Sequence, residues 1–274
     1  MNKLYEKYIK TDLLPTLFCP GCGNGIVQMA AIKAIDKLGI QEEMSCVSGI
    51  GCSSWIPCYF KMDVMHTMHG RALPFAEGLK LARPDKKVMV FTGDGDCLAI
   101  GGNHLLHAAR RNIDLTVILV NNYIYGMTGG QKSPTTPEGA VTKTSPYGAA
   151  DIPLDGCELA IAVGATYVAR WTTAHPVQLE KAIEEGLTHK GFSFIEVLTQ
   201  CPVQAGKKVY GFKDPAEIMN MYKETTYLYK EGMEIPKGKT RIGLLKHDED
   251  AVEYIDRIEA VSYTHLTLPT NREV

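Results

Sequence analysis

Two groups of residues in this chain have side chains whose types and spacing could do chemistry. The first is Gly93-Asp94-Gly95-Asp96, followed further along by Asn121-Asn122. Magnesium takes hard oxygen ligands in octahedral geometry and usually shares them with phosphates. The Asp94 carboxylate, an amide oxygen of Asn122 and the backbone carbonyl of Ile124 could supply one face of such a site. Gly93 and Gly95 let the backbone approach a diphosphate, and the helix start that follows offers free N–H groups. Gly-Asp-Gly alone is a common turn and Asn-Asn a common loop start. Their pairing, each at the end of an apolar run, is what points to a metal and a diphosphate.

The second group is thiol-based. The chain has eight cysteines, and its start, Met1-Asn2-Lys3-Leu4-Tyr5-Glu6, lacks the apolar core of a signal peptide, so metal or redox chemistry is expected before disulfides. Cys19-Pro20-Gly21-Cys22 is a Cys-x-x-Cys pair, suited to zinc, a redox dithiol or part of an iron–sulfur site. No strand precedes it as in a thioredoxin-like unit, and no second Cys-x-x-Cys exists to complete a zinc site. Cys52 and Cys201 each fall at the end of an expected strand, where ligands can converge. Spacing leaves a cluster and inert thiols both open. Cys97 and Cys157 sit in apolar stretches and read as small buried hydrophobes; Cys46 and Cys58 fit either reading.

The elements that must position these residues alternate. Met44–Val47, Val88–Thr92, Leu115–Asn121 and Phe192–Leu198 are apolar and β-branched and read as strands. Between them, residues 25–38 closed by Gly39, 72–83 stopped by Pro84, 104–111, and 177–190 before Gly191 read as helices. Fully apolar strands alternating with helices predict an α/β fold, a parallel sheet with helices on both faces. Ligands in such folds bind at the carboxyl ends of the strands. Residues 123–153, rich in Gly, Pro, Thr and Ser, form a long irregular stretch of the kind that is usually functional or disordered. No G-x-G-x-x-G follows the first strand, which disfavours a dinucleotide loop.

Composition sets the outer bounds. With 274 residues, 45% hydrophobic, the chain can bury one sizeable core, and we expect a single domain over residues 1–260. Lys+Arg at 29 against Asp+Glu at 31 give no basic field for nucleic acid. The apolar runs are too short to span a membrane, so a cytoplasmic location is the expectation. Val261–Thr270 looks like an in-frame translation of a sequencing adapter and breaks from the acidic stretch before it, so residues 261–274 are expected to be a non-native tail.

The ordered motifs carry a resemblance. Cys19-Pro20-Gly21-Cys22-Gly23, Ser48-Gly49-Ile50-Gly51-Cys52-Ser53 and His69-Gly70-Arg71-Ala72 come first. Gly93-Asp94-Gly95-Asp96, Asn121-Asn122, Tyr125-Gly126-Met127-Thr128-Gly129-Gly130-Gln131 and Ser133-Pro134-Thr135 follow. Over roughly residues 13–215 the chain resembles the β subunit of a 2-oxoacid:ferredoxin oxidoreductase. The resemblance implies the diphosphate-side, thiamine-diphosphate-binding fold. It implies a 4Fe-4S cluster on Cys19, Cys22, Cys52 and Cys201, and Mg2+ on Asp94, Asn122 and the carbonyl of Ile124. Thiamine diphosphate would be contacted by Ile50, Gly51, Cys52, Ser53, His69, Gly95, Asp96, Gly126 and Met127. His69 is the catalytic candidate, as a hydrogen-bond donor to phosphate; His66 is read as packing.

The activity the resemblance implies is oxidative decarboxylation of a 2-oxoacid to its acyl-CoA, with electrons passing one at a time through the cluster to ferredoxin. The motif Met127-Thr128-Gly129-Gly130-Gln131 is most similar to the 2-oxoglutarate type. Branched-chain or pyruvate enzymes of the same family, and a non-redox thiamine-dependent decarboxylase or synthase, are the alternatives. The last would have no use for four converging cysteines. The length accommodates only the diphosphate-side half of a thiamine enzyme. An α subunit, and in some assemblies small γ and δ subunits, would therefore supply the activating glutamate, with coenzyme A and the 2-oxoacid as the other ligands.

Overall fold

The computed structural model describes residues 3–267 apart from Lys213, Glu231 and Ile235. Its strands are β1 (Met44–Ser48), β2 (Asp63–His66), β3 (Lys87–Gly93), β4 (Leu115–Asn121), β5 (Ile124–Tyr125), β6 (Gln131–Lys132), β7 (Tyr167–Thr172), β8 (Phe192–Leu198), β9 (Thr226–Leu228) and β10 (Thr240–His247). β5 and β6 form a small antiparallel hairpin; the others make one 8-stranded sheet in the order β2-β1-β3-β4-β8-β7-β10-β9. From β2 to β7 every pairing is parallel, as the apolar strands predicted. β10 is antiparallel to β7 and parallel to β9, so the sheet turns mixed at that edge.

The period-2 alternation of the strands feeds two apolar layers. In β3, Met89 and Phe91 enter one layer and Val88 and Val90 the other; in β4, Ile118 and Val120 oppose Val117 and Leu119. The helices are α1 (Lys3–Tyr8), α2 (Asn24–Leu38), α3 (Trp55–Cys58), α4 (Ala72–Ala82), α5 (Gly102–Arg111), α6 (Gly156–Ala162), α7 (Pro176–Thr188), α8 (Pro215–Thr225) and α9 (Tyr254–Thr267). α2 and α7 cover the first layer with Ala31, Ile35, Leu179 and Ile183, while α4, α5 and α6 cover the second with Ala76, Leu105, Ala109 and Ala160. Cys46, Cys97 and Cys157 are buried in these layers. Cys58 is half-buried, with its thiol on the carbonyl of Ser54 at 3.3 Å.

Helix ends follow local chemistry. α2 stops at Gly39, whose φ of 69° is the left-handed conformation that glycine adopts without a Cβ clash. Pro176 and Pro215 open α7 and α8, where a missing N–H costs nothing, and Asp214 with Glu217 completes a capping box on α8. α9 runs through residues 261–267; residues 268–274 of the expected tail lie outside the described residues. Among the described residues no helix is long and apolar enough to cross a membrane.

Register matters most for function. Ser48 of β1 stands opposite His66 of β2 and Phe91 of β3; Gly93 of β3 opposite Val120 of β4; Asn121 of β4 opposite Leu198 of β8. The strands thus end nearly level, and the segments after β1, β2, β3, β4 and β8 emerge together along one carboxyl edge.

Candidate functional site

The candidate cofactor and metal residues named from the sequence line two cavities at that edge. One cavity is lined by Ile50, Gly51, Cys52, Ser53, His69, Gly93, Asp94, Gly95, Asp96, Asn122, Ile124, Gly126 and Met127, with Tyr125 and Thr128 closing it. A second cavity is lined by Cys19, Cys22, Cys52 and Cys201 together with Phe18, Trp55 and Gln204. Cys52, Asn122, Gly126 and Met127 line both cavities, so the two share a wall.

The four cysteines converge because their loops are tied together. The Gly23 N–H donates to the carbonyl of Gln200 (3.1 Å), joining the Cys-x-x-Cys turn to the segment after β8. Asn24 Nδ2 donates to the carbonyl of Cys52 (2.9 Å), joining α2 to the segment after β1. Burial pushes the Cys22 thiol up to about 12 and the Cys52 thiol up to about 11. Buried thiols held near one another ionise only when something supplies positive charge. A Cβ at Gly126 would lie 3.5 Å from Cys52 Sγ and 3.6 Å from Cys201 Sγ, so glycine keeps open the space the sulfurs face.

Asp94 is 3% exposed, and burial raises its carboxyl to about 6, against the pull of hydrogen bonds from Ser133 and Thr135. A buried carboxylate of this kind gains from a cation. Asn122 Oδ1 accepts from the Ile124 N–H (3.1 Å), an Asx turn that holds Asn122 and Ile124 together at the cavity. A side chain at position 95 would collide with the ring of Tyr125, which is why the turn needs glycine there. The chain then makes a wide helical turn over Gly95–Ile100 before α5, a local distortion common at functional sites.

Asp96 lines the cavity but is fully engaged by the protein. Its Oδ1 accepts from the Gly70 N–H (2.7 Å) and the Ile50 N–H (3.2 Å), and its Oδ2 from Thr92 Oγ1 (2.7 Å). His69 Nδ1 lies 2.8 Å from the same Oδ1 and 3.0 Å from the carbonyl of Ile50. Asp96 therefore clamps the segments after β1 and β2 against the turn after β3. With Nδ1 the donor to these oxygens, the remaining His69 nitrogen is left for the cavity that His69 lines. His66 is outside both cavities: Nδ1 pairs with Ser48 Oγ at 3.0 Å and the ring stacks on Trp55.

Sequence reasoning missed what stands behind Asp94. Arg170 of β7 is buried between Glu196 of β8 (Nε to Oε2, 2.6 Å) and Asp155. Glu196 Oε1 accepts from Asn121 Nδ2 at 2.7 Å. These groups border a cavity on the far side of Asn121, lined also by Tyr123, Tyr210 and Tyr222. An arginine inside a strand is a visible anomaly; its partner one strand over is not readable from sequence.

Comparison with known proteins shows the family. Residues 49–197 match the family described as thiamine pyrophosphate enzyme, C-terminal TPP binding domain. The chain is 58% identical to the 2-oxoglutarate synthase subunit KorB of Methanocaldococcus jannaschii, over 80% of this chain and 82% of that one. It is 48% identical to KorB of Archaeoglobus fulgidus over 94% of each chain. It is 38% identical to the 2-oxoacid:ferredoxin oxidoreductase subunit beta of Saccharolobus solfataricus over 94% of this chain and 90% of that one. Among solved structures it is similar to a 2-oxoglutarate:ferredoxin oxidoreductase from Magnetococcus marinus with 2-oxoglutarate, coenzyme A and succinyl-CoA bound. There the TM-score is 0.86 at 31% identity, over 97% of this chain and 92% of that one. The chain belongs to the family of 2-oxoacid:ferredoxin oxidoreductase β subunits, which is built on the thiamine-diphosphate-binding fold.

Proposed function

We propose that this chain is the β subunit of an oxidoreductase that converts 2-oxoglutarate and coenzyme A to the acyl-CoA and carbon dioxide, passing electrons to ferredoxin. The observation that carries the reading is the shared wall: Cys52 and Gly126 line both the cavity bearing Asp94 and Asn122 and the cavity bearing the four cysteines. The substrate follows the relatives, four of which with 48% to 58% identity are named 2-oxoglutarate synthase subunits.

In this reading Asp94, Asn122 and the carbonyl of Ile124 hold Mg2+, and the segment 50–53, Gly95 and His69 receive the diphosphate of the cofactor. Cys19, Cys22, Cys52 and Cys201 hold one 4Fe-4S cluster. When bound, thiamine diphosphate supplies the electron sink for decarboxylation and the cluster accepts electrons singly. The protein's part is placement. Asp96 fixes the loop carrying Ile50 and the ring of His69, so that the anion-binding groups are set before a ligand arrives. Gly126 admits the close approach of two metal sites without filling the gap between them. The activating carboxylate comes from a partner α subunit, so the isolated chain is inactive.

The test is anaerobic purification with the partner subunit, scoring iron, sulfide and thiamine diphosphate together, then ferredoxin reduction with 2-oxoglutarate, pyruvate and a branched-chain 2-oxoacid. About four irons for this chain and the fastest reduction with 2-oxoglutarate are expected. Thiamine diphosphate without iron would remove the cluster assignment and leave a non-redox decarboxylase.

A further inference from the structure

We propose that Thr135 is a positioning residue for the metal-binding carboxylate of Asp94. The inference rests on the reading that Asp94 is a metal ligand, and goes beyond it. Thr135 Oγ1 lies 2.6 Å from Asp94 Oδ2 and 2.9 Å from Asn121 Oδ1, and Thr135 and Asp94 are 2% and 3% exposed. The hydroxyl has one proton and faces these two acceptors, with Ser133 Oγ farther off at 3.3 Å. Asn121 cannot flip to offer its amino group, because Nδ2 donates to Glu196 Oε1 (2.7 Å) while Oδ1 accepts from the Tyr123 N–H (3.0 Å). The proton goes to the closer and charged oxygen, that of Asp94, where a charge-assisted bond is the stronger. It thereby fixes the plane of the carboxylate by one oxygen.

The loop that carries Thr135 is held in place without it. Thr136 Oγ1 donates to the carbonyl of Tyr123 (2.6 Å) and accepts from the Ser133 N–H (2.8 Å), docking the Ser133–Thr136 turn on the segment after β4. The Thr135 hydroxyl is therefore spare as a structural tie. Its remaining effect is on Asp94. Groups that hydrogen-bond a metal-ligating carboxylate set its orientation, and their loss typically weakens metal binding about 10–100-fold.

The experiment is titration of Mn2+, read by its electron paramagnetic resonance signal, into the assembled, metal-stripped complex with thiamine diphosphate present. Wild type, T135V, T135S and D94N are compared. The expected result is binding about 10–100-fold weaker in T135V, near wild type in T135S, and weakest in D94N. If T135V binds as wild type while D94N does not, the role of Thr135 is overturned and the metal site stands. If T135S is as weak as T135V, the methyl packing and not the hydroxyl is responsible, and the proposal is overturned. If D94N binds as wild type, the underlying metal reading fails, and the positioning role falls with it.

Discussion

Cys52 and Cys201 face the same point across Gly126: a Cβ placed there would stand 3.5 Å from one sulfur and 3.6 Å from the other. The two cysteines follow different strands, β1 and β8, that are not neighbours in the sheet. Gly126, on the segment after β4, lines the same cavity as both and has no side chain to come between them. Thiols alone would tolerate a methyl at that distance, since it is ordinary van der Waals contact. A cluster joined to both sulfurs would be crowded by it, because the methyl lies close to Cys52 Sγ and Cys201 Sγ together. G126A is therefore expected to lower iron per chain at least several-fold with the fold retained. Iron and sulfide assay beside circular dichroism checks this; a full iron complement in G126A would place the cluster elsewhere.

Cys52 lies on the wall between the two cavities beside Asn122, but its thiol is not among the proposed magnesium ligands, Asp94, Asn122 and the carbonyl of Ile124. C52S is expected to reduce ferredoxin at background rate while it still binds the divalent cation, because serine keeps the shape of the wall and the thiol is not a proposed magnesium ligand. Paired assays of ferredoxin reduction and Mn2+ binding check it. Loss of both would mean that Cys52 builds the cofactor cavity itself.

Much of the site is legible in the sequence, because the segments that follow apolar strands are short and the chemistry-bearing residues come first in them. Asp94 follows β3 directly, and Asn122 follows β4. β1, β3, β4 and β8 are readable because both faces of each are buried. β2 is not, since it is a largely exposed edge strand with polar ends, Asp63 and His66. β7 is hidden by Arg170, whose charge breaks the apolar run and is neutralised only in three dimensions. The residues 123–153, legible only as irregular and glycine-rich, deliver Thr135 to Asp94, a contact across 41 positions that no local pattern encodes. Asp96 reads from sequence as a ligand contact, and its clamp on Ile50 and Gly70 depends on strand order.

The pair of Arg170 and Glu196 is buried, at 3% and 2% exposure, with Cys157 Sγ also donating to Glu196 Oε2 (3.3 Å). Removing one partner of such a pair leaves an unpaired charge in low dielectric and costs about 3–5 kcal/mol. R170M is expected to lose about that much by chemical denaturation, whereas R170M/E196Q, with both charges gone and an acceptor kept for Asn121 Nδ2, loses much less. The comparison separates the cost of the stranded carboxylate from the worth of the pair. Equal losses would show that packing by the arginine stem, not its charge, is what β7 contributes.

Asp94 yields the pH prediction. Burial raises its folded-state value to about 6 from an ordinary 3.8. The folded, metal-free protein therefore holds a proton there that the unfolded chain releases, and the associated stability is present below about pH 4 and lost as pH rises through about 6. A rise of this size corresponds to roughly 3 kcal/mol, on the scale of 1.36 kcal/mol for each pH unit. D94N mimics the protonated carboxyl at every pH. Without divalent cation, D94N is expected to be the more stable protein at pH 8 by up to roughly 3 kcal/mol, the gap closing between about pH 6 and pH 4. With Asp94 a magnesium ligand, as proposed, added Mg2+ is expected to stabilise the wild type by binding its folded state and to reverse the order at pH 8, the metal replacing the proton as the neutralising charge. Denaturation at a series of pH values, with and without Mg2+, measures both effects. A gap that does not depend on pH would show that Asp94 is already compensated by Thr135 and Ser133 and has no need of a cation.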